Sequence, residues 1–489
     1  MKIYRTLTLL ILIFSFSVQT LMATARDITI ESYIHNLAAP GIWSPVPAPL
    51  PFRFVRSVYA QDLGLESLAG ISEVAYYNGR LFISVGNRLV ITDTELNTAS
   101  YVEGGYYNGI WHNFTTLDGV FATEYGEIYV AEPSQGRIWH FDSELNVIRI
   151  LGRPYGLPLA ENIPWMPFKV AVDQHGRIYA IANNVFEGIV EINPDGTFNR
   201  YFGVVDISYT LADLFWRTIR TQAQRAMTAL WLPVNFTNLD IDPSGFVFAT
   251  LSEGDDRVKM LNARGENIMR RADDAGMFIG DINFNTFGVN IPTGPSIINI
   301  VRTTDFGVFF AFDSNRNRLF AYDQDGHLLM AVGGSGQRSG MTSSVTDLII
   351  LGDYLIKVDS GSRSLEVFEL TSYGHAVFTA ARYQYKNNYL AAADAWRTVI
   401  AYNPFFQYAH LAIGRALYRH GYFAEALHYF QIGQSVEYFS MAYSRVRAEA
   451  IGNSFNTIMI IIFVVAILFV VWRIWHAILV YRKKRGVAT

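Results

Sequence analysis

Five residues, Glu73, Asp118, Lys169, Asn238 and Asp347, each begin or adjoin an apolar run in a chain otherwise divided by glycine-rich turns. Three carboxylates and an amide offer hard oxygen donors, the set that holds Ca2+ or a similar cation. Glu73, Asp118, Asn238 and Asp347 are therefore the candidate ligands of a metal site at a channel mouth. Lys169 opposes that reading, because an ammonium group among the ligands repels a metal. The expectation is that these side chains form a solvated rim and that no cofactor is bound.

Other chemistries lack their residues. With Cys 0, the chain has no disulfide, thiolate ligand or cysteine nucleophile. It contains no Gly-x-Ser-x-Gly elbow, His-Glu-x-x-His helix or glycine-rich phosphate loop. His112, His140, His175 and His327 are scattered without metal-ligand spacing and are expected at surfaces or edges. A net charge of −4 with no long basic run leaves no electrostatic footprint for nucleic acid. The aromatic content of 15% suits a core, and alternatively a sugar-stacking face.

The elements that position these residues recur. Arg88-Leu89…Asp93, Arg137-Ile138…Asp142, Gly188-Ile189…Asn193, Arg257-Val258…Asn262, Arg318-Leu319…Asp323 and Ser364-Leu365…Glu369 share one phrase. Each follows a glycine with an apolar pair, at Gly79, Gly126, Gly176, Gly245, Gly307 and Gly352. Strand, turn and strand, repeated six times, predict a β-propeller of six blades. The run Phe52–Val58 is expected to close the last blade, and Pro45–Pro51 reads as an extended linker before it. Residues 204–231 carry apolar residues at helical spacing and form an expected helical insertion; 266–297 form a second insertion, with room for a degenerate seventh blade as the alternative to six.

Val170-Ala-Val-Asp173, Gly176-Arg-Ile-Tyr-Ala180 and Gly188-Ile-Val-Glu-Ile-Asn193 resemble the NHL repeat family, as do Asp118–Asp142 and Asp313–Gly326. The resemblance covers about residues 69–372 and implies the fold more than an activity. Six-bladed relatives of the gluconolactonase type hold a divalent metal with Glu, Asn and Asp, but their Glu-Gly-Pro opening is missing here.

Beyond residue 376 the period changes from two to 3.6. Ala381, Tyr385, Asn388-Tyr389, Ala393, Trp396 and Asn403-Pro404 recur, offset by 33, as Gly414, Tyr418, Gly421-Tyr422, Ala426 and Tyr429. This pattern resembles the tetratricopeptide repeat, which implies protein binding; Arg382, Tyr385, Lys386, Arg415 and Tyr418 are its candidate partner-binding residues. The alternative is a structural spacer.

At the ends, Lys2 and Arg5, the apolar run Leu7–Val18 and Ala23-Thr24-Ala25 have the three-part form of a secretory signal peptide. The stretch from Ile458 to Tyr481 suffices to cross a bilayer, and the following Arg482-Lys483-Lys484-Arg485 would stay in the cytoplasm. The expected plan is a signal peptide at 1–25, an N-terminal linker and closing strand at 26–60, and a propeller at 61–372. Tetratricopeptide-like repeats follow at 376–450, then a transmembrane helix at 456–481 and a basic tail at 482–489. That plan describes a single-pass protein of the cell membrane with its N-terminal domains outside the cytoplasm. Its expected function is to bind or scaffold other membrane or envelope proteins, such as those of a transporter. A glycan-binding accessory of an importer and a metal-dependent lactonase-like hydrolase are the alternatives.

Overall fold

The computed structural model describes residues 32–39, 42–204, 235–253, 257–270, 279–281, 294–335 and 340–485. The expected signal peptide lies outside them, and so, past Val204, does the expected insertion at 204–231. The chain forms two compact units divided after Asn387.

The first unit is a six-bladed β-propeller. In each blade strand A is innermost and strand D outermost. Blade 1 runs Ile71–Tyr77, Arg80–Val85, Arg88–Asp93 and Ala99–Val102; blade 2 runs Val120–Ala122, Ile128–Glu132, Arg137–Phe141 and Val147–Leu151. Blade 3 is Met166–Val172, Ile178–Asn183, Ile189–Ile192 and Phe198–Phe202. Blade 4 has Phe236–Ile241, Val247–Leu251 and Val258–Leu261, with Asn267 bridging to Leu261. Blade 5 is Ile298–Thr303, Val308–Asp313, Arg318–Asp323 and Leu328–Gly333; blade 6 is Val345–Leu351, Tyr354–Asp359 and Ser364–Leu370.

Blade 6 takes its fourth strand from the other end of the sequence. Phe52–Val58 pairs antiparallel with Ser364–Leu370, from Phe52 opposite Leu370 to Val58 opposite Leu365. The ring thereby has no open seam, and the backbone groups of Ser364–Leu370 find partners. The reading of Pro45–Pro51 as a linker is corrected in part. Ile42–Pro47 is a strand, hairpinned to Ser32–Ala39, and this pair extends blade 5 beyond Leu328–Gly333. Pro45 and Pro47 are tolerated because the strand is the outermost of its sheet, where a missing N–H breaks no ladder.

The recurring phrase is a folding device. Ile138 and Ile189 are fully buried, as their place in the repeat requires. The acid or amide that ends the phrase closes the turn after strand C: Asp142 Oδ1 accepts the N–H groups of Glu144 and Asn146, and Asn262 Oδ1 those of Arg264 and Glu266. Among the described residues, arginines then tie five of the six blade junctions. Arg80 donates to Ser143 O at 2.6 Å, Arg149 to Pro194 O, Arg200 to Ala263 O at 2.6 Å, and Arg56 to Glu95 O. Arg270 does the same to the Asp325 carboxylate at 3.0 Å. In every case the acceptor lies in the turn between strands C and D of the following blade.

The two faces of the disc differ. The described connections from strand D to the next strand A, residues 59–70, 103–119 and 152–165, leave one face and are long. A hairpin, Gly104–Tyr107 with Ile110–Asn113, fills part of the second. The opposite face has only tight A-to-B and C-to-D turns, and helix α1 (Ser372–Tyr385) lies across three of the former. Tyr385 reaches Ser244 of blade 4 at 3.4 Å, Arg382 stacks over Phe306 of blade 5 at 4.7 Å, and His375 lies 3.5 Å from Asp353 of blade 6.

In the second unit α2 (Tyr389–Tyr402), α3 (Gln407–Arg419) and α4 (Phe423–Ile432) precede α5 (Val436–Arg485). Trp396 packs edge-on against Phe406 and Tyr408, and Gly414 lets Phe430 approach so closely that a Cβ there would lie 2.6 Å from its ring. The end of the repeats expected at 450 and the span expected from 456 lie within one unbroken helix of 50 residues. Its segment Ser454–Tyr481 contains an 18-residue stretch of mean hydropathy 2.8 that is not buried within the chain, as fits a single-pass membrane protein.

The blade-to-blade arginines give a test. Arg200 Nε also pairs at 2.6 Å with Glu191, whose carboxylate is fully buried. Arg200→Ala leaves that carboxylate to Arg177, 3.5 Å away, and to Asn199. Allowing for the partial exposure of Arg200, the expected loss is about 1–2 kcal/mol, with Arg200→Lys in between, read from urea unfolding followed by tryptophan fluorescence.

Candidate functional site

Strand A faces the propeller axis, so its inward edge has no further strand to accept its N–H groups. In four blades the pairing of strands A and B shifts register just ahead of Lys169, Asn238, Ile300 and Asp347, and in blade 1 the shift spans Ser72 and Glu73. Gly119 holds the same place in blade 2, where its carbonyl accepts Ala131 N–H. Asp118 stands one residue before this ring. A side chain at Gly119 would lie 2.7 Å from Phe168 O and 3.0 Å from Glu73 Oε2.

The ring side chains reach sideways. Glu73 Oε2 accepts Val120 N–H of blade 2 at 3.0 Å, Asn238 Oδ1 accepts Val301 N–H of blade 5 at 3.2 Å, and Asp347 Oδ2 accepts Val74 N–H of blade 1 at 2.9 Å. Each acceptor thus satisfies the N–H one residue past the ring position of the next blade. Two residues farther along blade 4, Asp240 accepts Thr303 N–H at 2.7 Å and its hydroxyl at 2.9 Å.

The expectation of a solvated rim is overturned. Glu73, Lys169, Asn238 and Asp347 are buried, and two of them, Glu73 and Asp347, converge on Arg302, which the sequence reading does not single out. Arg302 lies two residues past Ile300 in blade 5. Its Nε donates to Asp347 Oδ1 at 2.9 Å, one terminal nitrogen to Glu73 Oε1 at 3.0 Å and to Asp347 Oδ2, and the other lies 3.6 Å from Asp240. Lys169 Nζ stands 3.1 Å from Glu73 Oε2. One guanidinium therefore joins blades 1, 4, 5 and 6, and Lys169 adds blade 3.

Ionisation follows from the surroundings. Burial pushes the Glu73 carboxyl up to about 7, with Lys169 pulling it down, Asp347 pushing up, and Arg302 again pulling down. Burial likewise raises Asp240, against Arg302 and the Thr303 bonds, and raises Asp118 against Lys169. Burial disfavours the Arg302 charge, but Asp347, Asp240 and Glu73 outweigh it and raise its pKa. The oxygens that would ligate a metal at Glu73 and Asp347 are thus already engaged by Arg302, Lys169 and backbone N–H groups. Asn238 Nδ2 is buried without a partner.

A second cluster, Asp323, Asp325 and His327, could by distance hold a cation. It is one of the C-to-D turns, in which Asp323 Oδ1 accepts the N–H groups of Asp325 and His327 at 3.0 and 2.8 Å. His140, expected at a surface, is buried and stacks on Tyr129 at 4.2 Å. Of the candidate partner-binding residues, Arg382 and Tyr385 face the propeller as described. Arg415 lies over Tyr438 at 5.6 Å, Tyr418 packs on Phe423 at 5.2 Å, and Lys386 is exposed.

The sequence matches no protein-family model and no curated protein. Among solved structures the fold is similar to the extracellular domain of a one-component system from B. thetaiotaomicron, at 13% identity over 61% of this chain and 33% of that one, with a TM-score of 0.35. It is also similar to streptogramin B lyase, at 11% identity over 65% and 98% with a TM-score of 0.41. Virginiamycin B lyase from Staphylococcus aureus shares 9% identity over 65% and 100%, with a TM-score of 0.40. The chain spans a third of the length of the one-component ectodomain it matches. At these levels the likenesses bear on neither site nor activity.

The network predicts a pH dependence. Because the Glu73 pKa is raised on folding, the folded state holds its proton more tightly than the unfolded one. The stability tied to that proton is complete below the ordinary glutamate range and is lost as pH rises through about 7. The wild-type melting temperature should fall between pH 5.5 and 8 more steeply than that of Glu73→Gln, measured by differential scanning fluorimetry. Parallel slopes would mean that Glu73 is ionised throughout.

Proposed function

We propose that this protein is a membrane-anchored binding or scaffold protein that presents its propeller outside the cytoplasm to other membrane or envelope proteins. The observation that carries the reading is the Arg302 network. It commits the charged groups of the channel to holding blades together, so recognition falls to surfaces outside the channel, the tetratricopeptide-like helices ahead of the face of long D-to-A connections. The tight-turn face is occupied by α1, from which the chain leaves toward the helical unit. In this reading the blades are NHL-like, the helix pairs α1–α2 and α3–α4 are tetratricopeptide-like, and the signal peptide and basic tail set the orientation.

A metal-dependent hydrolase is the less favoured alternative, since a metal at Glu73 and Asp347 would have to displace Arg302 and Lys169. Titration with Ca2+ or Mn2+ should therefore leave the melting temperature unchanged. A saturable rise that Asp118→Ala or Asp347→Asn removes would replace the scaffold with a metal site.

The docking role is tested by crosslinking and mass spectrometry in native membranes. Loss of residues 389–432 should remove crosslinks to neighbouring membrane proteins, whereas loss of 204–231 should retain them. The reverse result would assign docking to the long-loop face and leave the helices as a stalk. A reporter fused after Thr489 should be cytoplasmic, and added protease should reach the propeller from outside.

A further inference from the structure

Helix α5 is apolar from Ile458 to Trp472 and again from Ala477 to Tyr481, but Arg473 and His476 interrupt it. The four basic residues from Arg482 cannot enter hydrocarbon and so mark one membrane interface. At the helical rise of ~1.5 Å per residue, Arg473 lies roughly 14 Å along the axis from Arg482. In a hydrocarbon layer of about 30 Å that is close to the middle. A tilt of ~20° changes the depth by under a tenth. An arginine side chain that snorkels toward the headgroups covers roughly half of such a distance.

From Ala450 to Arg485 the helix contains no Asp or Glu that could neutralise this charge. Residues Ser454–Tyr481 are not covered by the rest of the chain, and Arg473 is exposed. Arg473 and His476 are three apart and share a face with Ile462, Ala466, Phe469 and Val480, spaced alternately by four and three. Ala466 gives that face a small residue where a second helix can come close. The ring of His476 lies 5.9 Å from that of Trp472.

We propose that this face of α5 docks against a second membrane-spanning helix that carries an aspartate or glutamate at the depth of Arg473. The partner follows from charge complementarity: a guanidinium at mid-bilayer is stabilised by a carboxylate that meets it with two parallel hydrogen bonds, and the acid is stabilised in return. His476, one turn away, can donate to the same carboxylate. The inference rests on α5 spanning the bilayer, as in the function proposed above.

The test uses the full chain in phosphatidylcholine vesicles. Because the protein has no cysteine, Thr489→Cys gives a single attachment point for a donor fluorophore. The probes are acceptor-labelled, leucine-rich spanning peptides with Glu, Gln or Leu at their centre. The Glu peptide should associate about 5- to 30-fold more tightly than the Leu peptide, with Gln between them. Arg473→Leu should abolish the preference for Glu, and Arg473→Lys should keep part of it. Equal energy transfer to the Glu and Leu peptides, or a preference that survives Arg473→Leu, would overturn the proposal. Flotation with the vesicles is read separately: a chain that does not float refutes the membrane span, and one that floats without a Glu preference refutes only the docking.

Discussion

The buried guanidinium of Arg302 is the interaction on which the propeller most depends. A disc of separate sheets has a weak point at its axis, where inner strands approach without pairing. Here one cation meets carboxylates from three other blades, Glu73, Asp240 and Asp347, while those carboxylates also accept N–H groups of strands next to their own. Taking several charges out of water costs several kcal/mol for each, and the arrangement holds only because almost every oxygen is engaged. Removing the cation would strand three acids together. The same bonds explain why ring residues are acids or an amide where a neighbouring strand needs an acceptor, and why Gly119 is small where Glu73 crosses it.

The outer girdle complements this axis. Arg56, Arg80, Arg149, Arg200 and Arg270 each join one blade to the next at its C-to-D turn, so neighbouring blades are tied near the rim as well as near the axis. The turns that receive them are rigid because an acid or amide inside each turn binds its own backbone. Tightness on that side, where α1 packs, contrasts with the long connections on the other.

Much of this was legible in the sequence because each blade repeats the same physical problem. Glycine at the A-to-B turn, an aliphatic residue at strand C and an acid after it recur, so blade number and strand register could be read. Arg302 is less legible because it stands at a second inward position of its strand; period two along the strand, from Ile300 to Arg302 and from Asn238 to Asp240, is the available signal. Asp118 stood in for Gly119 because blade 2 has the shortest inner strand, Val120–Ala122, which blurs its start. Prolines 45 and 47 disguised an edge strand as a linker. Helix α1 shares its period with the helices that follow, and its packing against Phe306 and Phe310 depends on residues remote in sequence.

The closing strand also bears on how the molecule comes into being. Phe52–Val58 is synthesised long before Ser364–Leu370, its ladder partner among the described residues. At the ordinary pace of translation, roughly 5–20 residues per second, it waits for tens of seconds with both edges bare. Arg53 and Arg56 are suited to that interval, since charged side chains on an unpaired strand discourage pairing with another nascent chain. The ring can lock only when the ribosome has passed residue 370, so the circle is completed late and all at once, immediately before the helices that carry the chain to its anchor.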